Sequence, residues 1–268
     1  MKKNNISLII AGSDSGAGAG LQADLKTFTV HNVYAATVVT ALTAQNTLGV
    51  DEVFSLPSNF IESQIRAIAN DFKVSFIKIG MLSNFEIIKK VKFCLEKYFS
   101  NIPIVLDPVM IAKGGQPLIE ENAIKYLIKE LIPKCYLLTP NIPEAEKILN
   151  CKLNNTEQIE NNIIRFNSLG VKNVLVKGGH LVNKNKGLVD ILCEEGKITK
   201  LCSKFIKTKN THGTGCSLAS SITSNLFLGS TLVESVKNAQ RYVYEGIKHT
   251  HVVGSGHNPI NHFYGFGK

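Results

Sequence analysis

The chain has 268 residues, of which 44% are apolar and 19% charged, and this composition excludes an intrinsically disordered protein. Its formal charge of +9 comes from 30 basic and 21 acidic side chains, but only three of the basic residues are arginine. Base contacts and bidentate phosphate contacts favour arginine, so scattered lysines indicate a solvated surface and no nucleic-acid partner. The length suits one large α/β domain, and we expect a single domain over residues 1–268.

The six cysteines form no CxxC pair and are too few for a disulfide framework. The sequence therefore predicts a reducing compartment, the cytoplasm. An uncharged stretch at 27–50 contains several polar side chains, so it does not suit a membrane span. The apolar run at 6–11 is too short for a signal peptide, and Asp14 follows it closely.

Short apolar segments alternate with helical patterns along the whole chain. In chain order the pattern predicts a strand at 6–11, a glycine-rich loop at 12–20, a helix at 21–31, a strand at 36–42, a helix from 57, a strand at 76–79, a helix at 84–98, a strand at 104–106, a helix at 119–131, a strand at 135–138, a helix at 157–168, a strand at 174–176, a hairpin of 189–193 with 198–201, and helices at 214–228 and 231–249.

The fold class that follows is α/β. Strands that are apolar throughout are buried on both faces, which predicts a mostly parallel sheet between layers of helices. The late hairpin predicts an antiparallel edge. In open sheets of this kind, ligands bind beyond the carboxyl ends of the strands, so the segments that follow strands are the candidate functional ones.

Two of these segments follow the first two strands. The glycines at 16, 18 and 20 match neither GxGxxG nor a P-loop, and they form either a tight turn or a backbone wall for a ligand. Asp24, one turn into the next helix, either hydrogen-bonds a ligand or favours the start of the helix. Gln45 is a neutral donor and acceptor that suits the ring edge of a heterocycle, although a plain turn residue is an equal alternative.

Two further segments carry oxygen donors. Asp107 precedes Pro108 and either holds Mg²⁺ through water or begins a turn. Asn141 with Glu144 three residues later is nearly a capping box, so both residues fit a well-capped helix. The same two side chains suit Mg²⁺ and phosphate-bound water, and the two interpretations are compatible.

The last segment, at 208–217, leads small residues into a helix. Free backbone N–H groups at such a start point at an anion. Cys216 lies in the first turn, where the field of the helix is expected to lower the pKa of its thiol. We therefore expect an anion hole there.

The ordered set of segments resembles one family from about residue 8 to residue 264. It resembles bacterial hydroxymethylpyrimidine kinase/phosphomethylpyrimidine kinase, of the ribokinase-like superfamily. The segments that carry the resemblance are Ala11-Gly12-Ser13-Asp14, Gly20-Leu21-Gln22-Ala23-Asp24-Leu25-Lys26, Thr40 to Thr47, Lys78-Ile79-Gly80-Met81-Leu82, Asp107-Pro108-Val109-Met110, Thr139-Pro140-Asn141 with Glu144, Lys177-Gly178-Gly179-His180 and Asn210 to Cys216.

The resemblance implies a three-layer ribokinase-like fold and two ATP-dependent phosphorylations in thiamine biosynthesis. The first acts on 4-amino-5-hydroxymethyl-2-methylpyrimidine and the second on its monophosphate, which becomes the diphosphate. It also implies a homodimer and the following sites: the pyrimidine edge on Gln45, the pocket wall on Gly12, Ala19, Asp24, Met81 and Val109, the ATP side on Asn141, Lys177 and Thr211, Mg²⁺ near Asp107 and Glu144, and the anion hole on Gly213, Thr214, Gly215 and Cys216.

Sugar kinases of this superfamily have an aspartate as the base where Cys216 stands, so a Cys216 thiolate is expected to act as the base here. The paired glycines usual in the first loop read Ala17-Gly18 in this chain. The histidines near the end of the chain favour a metal site only weakly, and the role of Gly256-His257-Asn258-Pro259 stays open.

Three rival functions remain at the level of sequence. A pyridoxal or pyridoxine kinase of the same superfamily also acts on a hydroxymethyl-bearing nitrogen heterocycle. A non-catalytic pyrimidine sensor is disfavoured, because the chain keeps the residues that the resemblance assigns to catalysis. A Rossmann dehydrogenase is disfavoured by the missing GxGxxG motif.

Overall fold

The computed structural model describes residues 4–112, 115–179 and 187–265, and within them nine strands form one sheet. The strands are β1 (Asn5–Asp14), β2 (Ala35–Gln45), β3 (Val50–Ser55), β4 (Lys73–Ile79), β5 (Ile104–Leu106), β6 (Leu137–Leu138), β7 (Asn173–Val176), β8 (Leu188–Glu194) and β9 (Lys197–Ser203). The α-helices in the same ranges are α1 (Gly20–Val30), α2 (Ser58–Asp71), α3 (Phe85–Tyr98), α4 (Glu121–Tyr126), α5 (Ile142–Leu149), α6 (Thr156–Ile163), α7 (Thr214–Phe227) and α8 (Leu232–Lys248).

Across the sheet the strand order is β3-β2-β1-β4-β5-β6-β7-β8-β9. The strands from β2 across to β7 pair in parallel, whereas β3, β8 and β9 are antiparallel to their neighbours. The predicted mostly parallel sheet with an antiparallel hairpin at its edge is therefore confirmed. In that hairpin Glu195 and Gly196 both have a positive φ, as a two-residue turn with the matching twist requires.

Helices cover both faces of the sheet, and β1 shows how its sequence divides between them. Leu8 and Ile10 belong to the core shared with α2 and α3, whereas Ile9 and Ala11 belong to the core shared with α1. Helices α7 and α8 extend that second layer over the inner strands. An all-apolar strand buries alternate side chains on opposite faces, so the three-layer arrangement follows from the composition of strands such as β1.

The second antiparallel edge was not predicted from the sequence. Within the described part of the chain strand β3 pairs with β2 alone, and its residues 51–54 are exposed. Because neither face of this strand is buried, it lacks the apolar alternation that marks a strand in a sequence. The sheet therefore has antiparallel strands at both edges, where the sequence indicated one.

Two predicted helices are shorter or less regular than expected. The one predicted at 119–131 is α-helical only in α4 and continues as a π turn (Leu127–Leu131) and a 3₁₀ turn (Ile132–Lys134). Pro133 has no backbone N–H and cannot continue regular α-helical bonding. The one predicted at 157–168 is α6 followed by a 3₁₀ turn (Ile164–Leu169).

The parallel strands place the candidate residues together. The carboxyl ends of β1, β2, β4, β5, β6 and β7 lie along one edge of the sheet, because these strands share a direction. No helix among residues 4–112, 115–179 and 187–265 is both long enough and apolar enough to cross a membrane. His180, which ends the motif that begins at Lys177, lies outside the described residues.

Candidate active site

One end of the carboxyl edge holds a buried cluster of charged side chains. Lys177, directly after β7, has its Nζ 2.6 Å from Oδ1 of Asp107, directly after β5. The two side chains are 13% and 2% exposed, so Lys177 is not a solvated surface lysine. The Thr139 hydroxyl donates to the same carboxylate over 3.1 Å. The cluster thus fixes one positive charge at the ends of neighbouring strands.

Asn141 and Glu144 form the capping box at the start of α5. The Glu144 N–H donates to Asn141 Oδ1 over 2.9 Å, and the Asn141 N–H donates to Glu144 Oε2 over 2.8 Å. Burial raises the pKa of Glu144 to about 7, against the opposing effect of the Lys177 ammonium, and the Asp107 carboxylate adds to the rise. The helix cap predicted from the sequence is confirmed, and it leaves a second carboxylate beside the Lys177–Asp107 pair.

Helix α7 begins next to this pair and supplies the candidate anion hole. A Cβ built on Gly215 would lie 3.5 Å from Lys177 Nζ and 3.7 Å from Asp107 Oδ2. The helix starts at Gly213 with no side-chain cap and no acidic residue in its first turn. The Thr214 hydroxyl instead donates to the Thr211 carbonyl over 3.0 Å. This bond holds Thr211 next to the start of α7. The Thr214 N–H also reaches the Thr211 carbonyl, over 3.5 Å, so among the described residues the N–H groups of Gly215 and Cys216 are the ones left for an external anion.

Cys216 lies in that first turn, but its protonation differs from the expectation. Burial raises the pKa of the Cys216 thiol to about 12, although the Lys78 ammonium and the backbone N–H of Gly20 oppose the rise. The prediction that the helix start lowers this pKa is therefore wrong. Desolvation of a thiolate outweighs the field of one helix end. A pKa raised in this way favours the protonated thiol at neutral pH.

The loop at Gly213 leaves no room for a side chain. Gly213 has a φ of 76°, and a Cβ built on it would overlap the Gly18 carbonyl oxygen. We expect Gly213→Ala to lower the free energy of unfolding by about 1–3 kcal/mol more than Gly229→Ala does. Gly229 has a φ of 92° with open space around it, so it carries the backbone cost alone. Urea unfolding of both variants measures the difference, and equal losses would contradict the predicted overlap.

The residues predicted to form the pocket wall follow β1, β4 and β5 on the same edge. A Cβ built on Gly12 would lie 2.9 Å from Met81 Sδ, so the Met81 side chain packs directly on the Gly12 backbone. Ala19 immediately precedes α1, and its N–H donates to Asp14 Oδ2 over 2.8 Å. Val109 is held close to Asp107, to whose carbonyl its N–H donates over 2.8 Å. Gly12 and Met81 are thus in contact, and Ala19 is tied to the end of β1, whereas Val109 lies beside Asp107 after β5.

Asp24, which was also predicted to line the pocket, has partners within the protein. Lys78 Nζ is 2.6 Å from its Oδ2, and the Ser220 hydroxyl donates to its Oδ1 over 2.7 Å. The Asp24 and Lys78 side chains are fully buried. Burial raises the pKa of Asp24, and the Lys78 ammonium opposes that rise. Any effect of Asp24 on a ligand therefore passes through Lys78 and the packing of α1 against α7.

Gln45 ends β2 and faces the glycine-rich loop. The Ser15 hydroxyl donates to the Gln45 carbonyl over 2.8 Å, and the Gln45 N–H donates to that hydroxyl over 2.9 Å. The side-chain amide lies between Thr43 and His212. The amide is thus held at the loop, as a residue that reads a ligand edge needs to be.

Sequence reasoning missed two residues, Asp14 and His212. The Asp14 carboxylate accepts hydrogen bonds from the backbone N–H groups of Gly16, Gly18 and Ala19, over 2.8, 3.1 and 2.8 Å. It also lies 2.9 Å from His212 Nε2. The position of Asp14 at the end of the first strand was the available signal, and the His212 contact spans too much of the chain to be read locally.

Ala17 stands in the first loop at a position where the family resemblance leads us to expect glycine. Ala17 has a φ of 56°, in the left-handed region that favours glycine. The glycine usual in the family at this point therefore suits the backbone conformation. Lys26 donates to the Ala17 carbonyl over 2.8 Å and holds the turn in place.

The segment 256–259 braces the site. The His257 N–H donates to the Thr47 carbonyl over 2.7 Å, and the His212 N–H donates to the Asn258 carbonyl over 3.3 Å. The segment thus ties the loop after β2 to the residues before α7. In the described ranges of the chain no group of three or more His, Cys, Asp or Glu side chains is placed to hold a metal, the terminal histidines included.

Comparison with known proteins identifies one group of relatives. A family model described as phosphomethylpyrimidine kinase matches residues 14–261. The chain is 43% identical over 259 residues to the hydroxymethylpyrimidine/phosphomethylpyrimidine kinase of Haemophilus influenzae, with 96% of each chain covered. It is 44% identical over 255 residues to the thiamine biosynthesis bifunctional protein ThiED of Geobacter sulfurreducens. That match covers 95% of this chain and 51% of the relative, so the chain spans about half the length of that protein.

A solved structure shows the same fold with ligands. The pyridoxal kinase of Staphylococcus aureus, in complex with AMP-PCP and pyridoxal, superposes with a TM-score of 0.86 at 30% identity. The superposition covers 98% of this chain and 94% of that chain. The three-layer fold is therefore shared with a kinase that binds an ATP analogue and a nitrogen heterocycle.

Proposed function

The chain belongs to the phosphomethylpyrimidine kinase family, and from this membership we propose a role for each part of the carboxyl edge. The enzyme phosphorylates hydroxymethylpyrimidine and then its monophosphate in thiamine biosynthesis, as the resemblance implied. ATP is the phosphoryl donor. The observation that carries the assignment of roles is that one sheet edge holds a neutral amide at one end and a buried lysine beside an open helix start at the other.

In this proposal the pyrimidine lies against Gln45 and the wall formed by Gly12, Ala19, Met81 and Val109. ATP lies on the side of Asn141, Lys177 and Thr211. Phosphoryl transfer needs the donor and acceptor oxygens in line and needs stabilisation of charge on the transferred group. Lys177 stabilises charge on the phosphates, and the N–H groups of residues 213–216 stabilise the transferred phosphoryl.

The residues present also fit a Mg²⁺ ion. Mg²⁺ in kinases is bound by one or two carboxylates together with water and phosphate oxygens, so two carboxylates suffice. Asp107 and Glu144 are two buried carboxylates near the Lys177 ammonium; burial raises the pKa of Glu144, and the neighbouring Asp107 carboxylate adds to the rise. We propose that these two side chains hold Mg²⁺, partly through water. When bound, the ion neutralises charge on the ATP phosphates.

An ATP-consumption assay tests the function directly. The acceptors are the hydroxymethylpyrimidine, its monophosphate, and pyridoxal, which the similarity to pyridoxal kinase makes the second candidate. We expect turnover with both pyrimidines and a kcat/KM for pyridoxal at least about tenfold lower. The pyridoxal interpretation is favoured if that order is reversed, and the non-catalytic sensor is favoured if no acceptor increases ATP consumption.

Gln45→Ala should weaken pyrimidine binding about 5- to 150-fold, because polar groups of the bound ring lose their partner at a cost of about 1–3 kcal/mol. ATP binding should change little, since the amide lies at the far end of the edge. Calorimetry with each ligand measures both affinities. Gln158→Ala on α6 is the control, because its amide oxygen accepts the N–H of Asn154 at the exposed start of that helix. An unchanged pyrimidine affinity would show that the Gln45 side chain does not contact the pyrimidine.

We further propose that the enzyme is a cytoplasmic homodimer. Its six cysteines are all free, which suits a reducing compartment. Leu42 on β2 and Phe54 on β3 lie directly opposite each other and are 46% and 58% exposed. A second copy would cover this apolar pair. Light scattering should show a dimer that Phe54→Glu converts into a monomer, and a monomeric unmodified enzyme would contradict the assignment.

A further inference from the structure

His212 fills the space between the two loops of the site, and no role has been assigned to it. Its side chain is 10% exposed. Its Nε2 lies 2.9 Å from Asp14 Oδ2 and 3.2 Å from Gln45 Nε2. A Cβ built on Gly18 would overlap the imidazole ring, so glycine at 18 is what admits the ring. The same atom of His212 thus touches both an anchored carboxylate and the amide assigned to the pyrimidine.

The Asp14 carboxylate determines where the His212 proton lies. The pKa of Asp14 is lowered: burial opposes ionisation, but the His212 contact and the N–H groups of Ala19 and Gly16 outweigh it. An ionised carboxylate only accepts hydrogen bonds. His212 therefore carries a proton on Nε2, and this proton points to Asp14 and Gln45.

The protonated Nε2 in turn determines the orientation of the Gln45 amide. With the amide nitrogen 3.2 Å from Nε2, two donors face each other. The amide oxygen then lies 3.0 Å from Thr43 Oγ1, whose single proton is also directed to the Ser13 carbonyl at 2.9 Å. Rotating the amide by half a turn removes the conflict: its oxygen shares the single Nε2 proton of His212 with Asp14, its nitrogen donates to Thr43 Oγ1, and the Thr43 proton is left for the Ser13 carbonyl.

We propose that His212, anchored by Asp14, is a positioning residue that holds the Gln45 amide with one N–H free for the substrate. The enzyme then selects a heterocycle with an unprotonated acceptor, such as a ring nitrogen, at this point. The inference rests on the proposed function, because it needs Gln45 to contact the acceptor substrate. It adds a specificity element that joins the loop after β1 to the residue before the anion hole.

Two substitutions separate the hydrogen bond from the packing of the ring. His212→Phe keeps a ring against Gly18 and removes the N–H, whereas His212→Gln keeps an N–H and removes the ring. We expect His212→Phe to raise the KM for hydroxymethylpyrimidine about tenfold and His212→Gln to raise it less than about threefold. The KM for ATP should change less than about twofold in both. A packing role predicts the opposite order of the two variants and would overturn the proposal.

A double-mutant cycle with Gln45→Ala gives the second readout. In the Gln45→Ala background, His212→Phe should raise the pyrimidine KM by less than about twofold, because the amide it orients is gone. Losses that multiply independently would overturn the proposal, and so would a loss confined to kcat. His249→Ala, an exposed histidine of the terminal segment, is the control.

A measurement on the unmodified enzyme covers the case in which a variant does not fold. A long-range ¹H–¹⁵N spectrum of the His212 ring should show the proton on Nε2, and an unprotonated Nε2 would overturn the proposal. The proposed function is tested separately and first, by turnover of the unmodified enzyme with hydroxymethylpyrimidine. Failure of that turnover is distinguishable from an altered KM in the His212 variants.

Discussion

Lys177→Met should lower kcat/KM for ATP by at least about a hundredfold, because it removes the positive charge that is paired with Asp107 beside the start of α7. The same substitution leaves the buried Asp107 carboxylate without its cation. Breaking a buried ion pair in this way costs about 3–5 kcal/mol, so the melting temperature should fall as well. Initial rates at varied ATP, measured well below the melting temperature of the variant, separate the loss of activity from unfolding.

Lys147→Met is the matched control for this experiment. Lys147 Nζ lies 2.6 Å from Glu121 Oε1, the same distance as in the Lys177 pair, but the two side chains are 46% and 70% exposed. An exposed pair contributes between 0 and about 1 kcal/mol, so this variant should keep both its activity and its melting temperature. Near-native turnover of Lys177→Met would show that Lys177 only stabilises the fold and does not act on ATP.

The layered fold could be predicted from the sequence because its signals are local. The apolar run that became β1 indicates a buried strand wherever the rest of the chain lies, and the Glu195-Gly196 turn indicates its hairpin. Strand β3 could not be predicted in this way. Its residues are exposed, and it exists because β2 offers it hydrogen-bond partners across the sheet edge.

In the candidate site, too, the residues with a local signal could be predicted and the contacts between distant segments could not. Gln45 ends a strand and Asp107 and Lys177 directly follow strands, and parallel topology alone places strand ends together. The partner of Asp14 could not be predicted, since His212 lies 198 residues further along the chain. The pKa of Cys216 could not be predicted either. The helix start is visible in the sequence, but the burial that outweighs it is produced by packing against distant segments.

The raised pKa of Cys216 bears on whether its thiolate acts as the base of the first phosphorylation. A base that accepts the proton of the hydroxymethyl group must be a thiolate, and a thiol with a pKa of about 12 is protonated at pH 7. Below that pKa the thiolate population rises about tenfold with each pH unit. If the thiolate is the base, as the resemblance to the superfamily implies, then kcat with hydroxymethylpyrimidine should rise steadily from pH 7 to pH 9 with no plateau.

The second acceptor supplies an internal reference, because a phosphate monoester with a second pKa of about 6 has already lost its proton at pH 7. Phosphorylation of the monophosphate needs no base and should be nearly independent of pH over the same range. Cys216→Ala should therefore slow the first step about 10²- to 10⁴-fold and abolish its pH dependence, while the second step changes only a few-fold. The backbone N–H at 216 survives the substitution, so the anion hole should remain.

Cys202→Ala, which alters an exposed thiol, is the control. Measuring kcat for both acceptors across pH decides the matter: equal, modest losses in the two steps, or a first step independent of pH in the unmodified enzyme, would mean that Cys216 only packs at the start of α7.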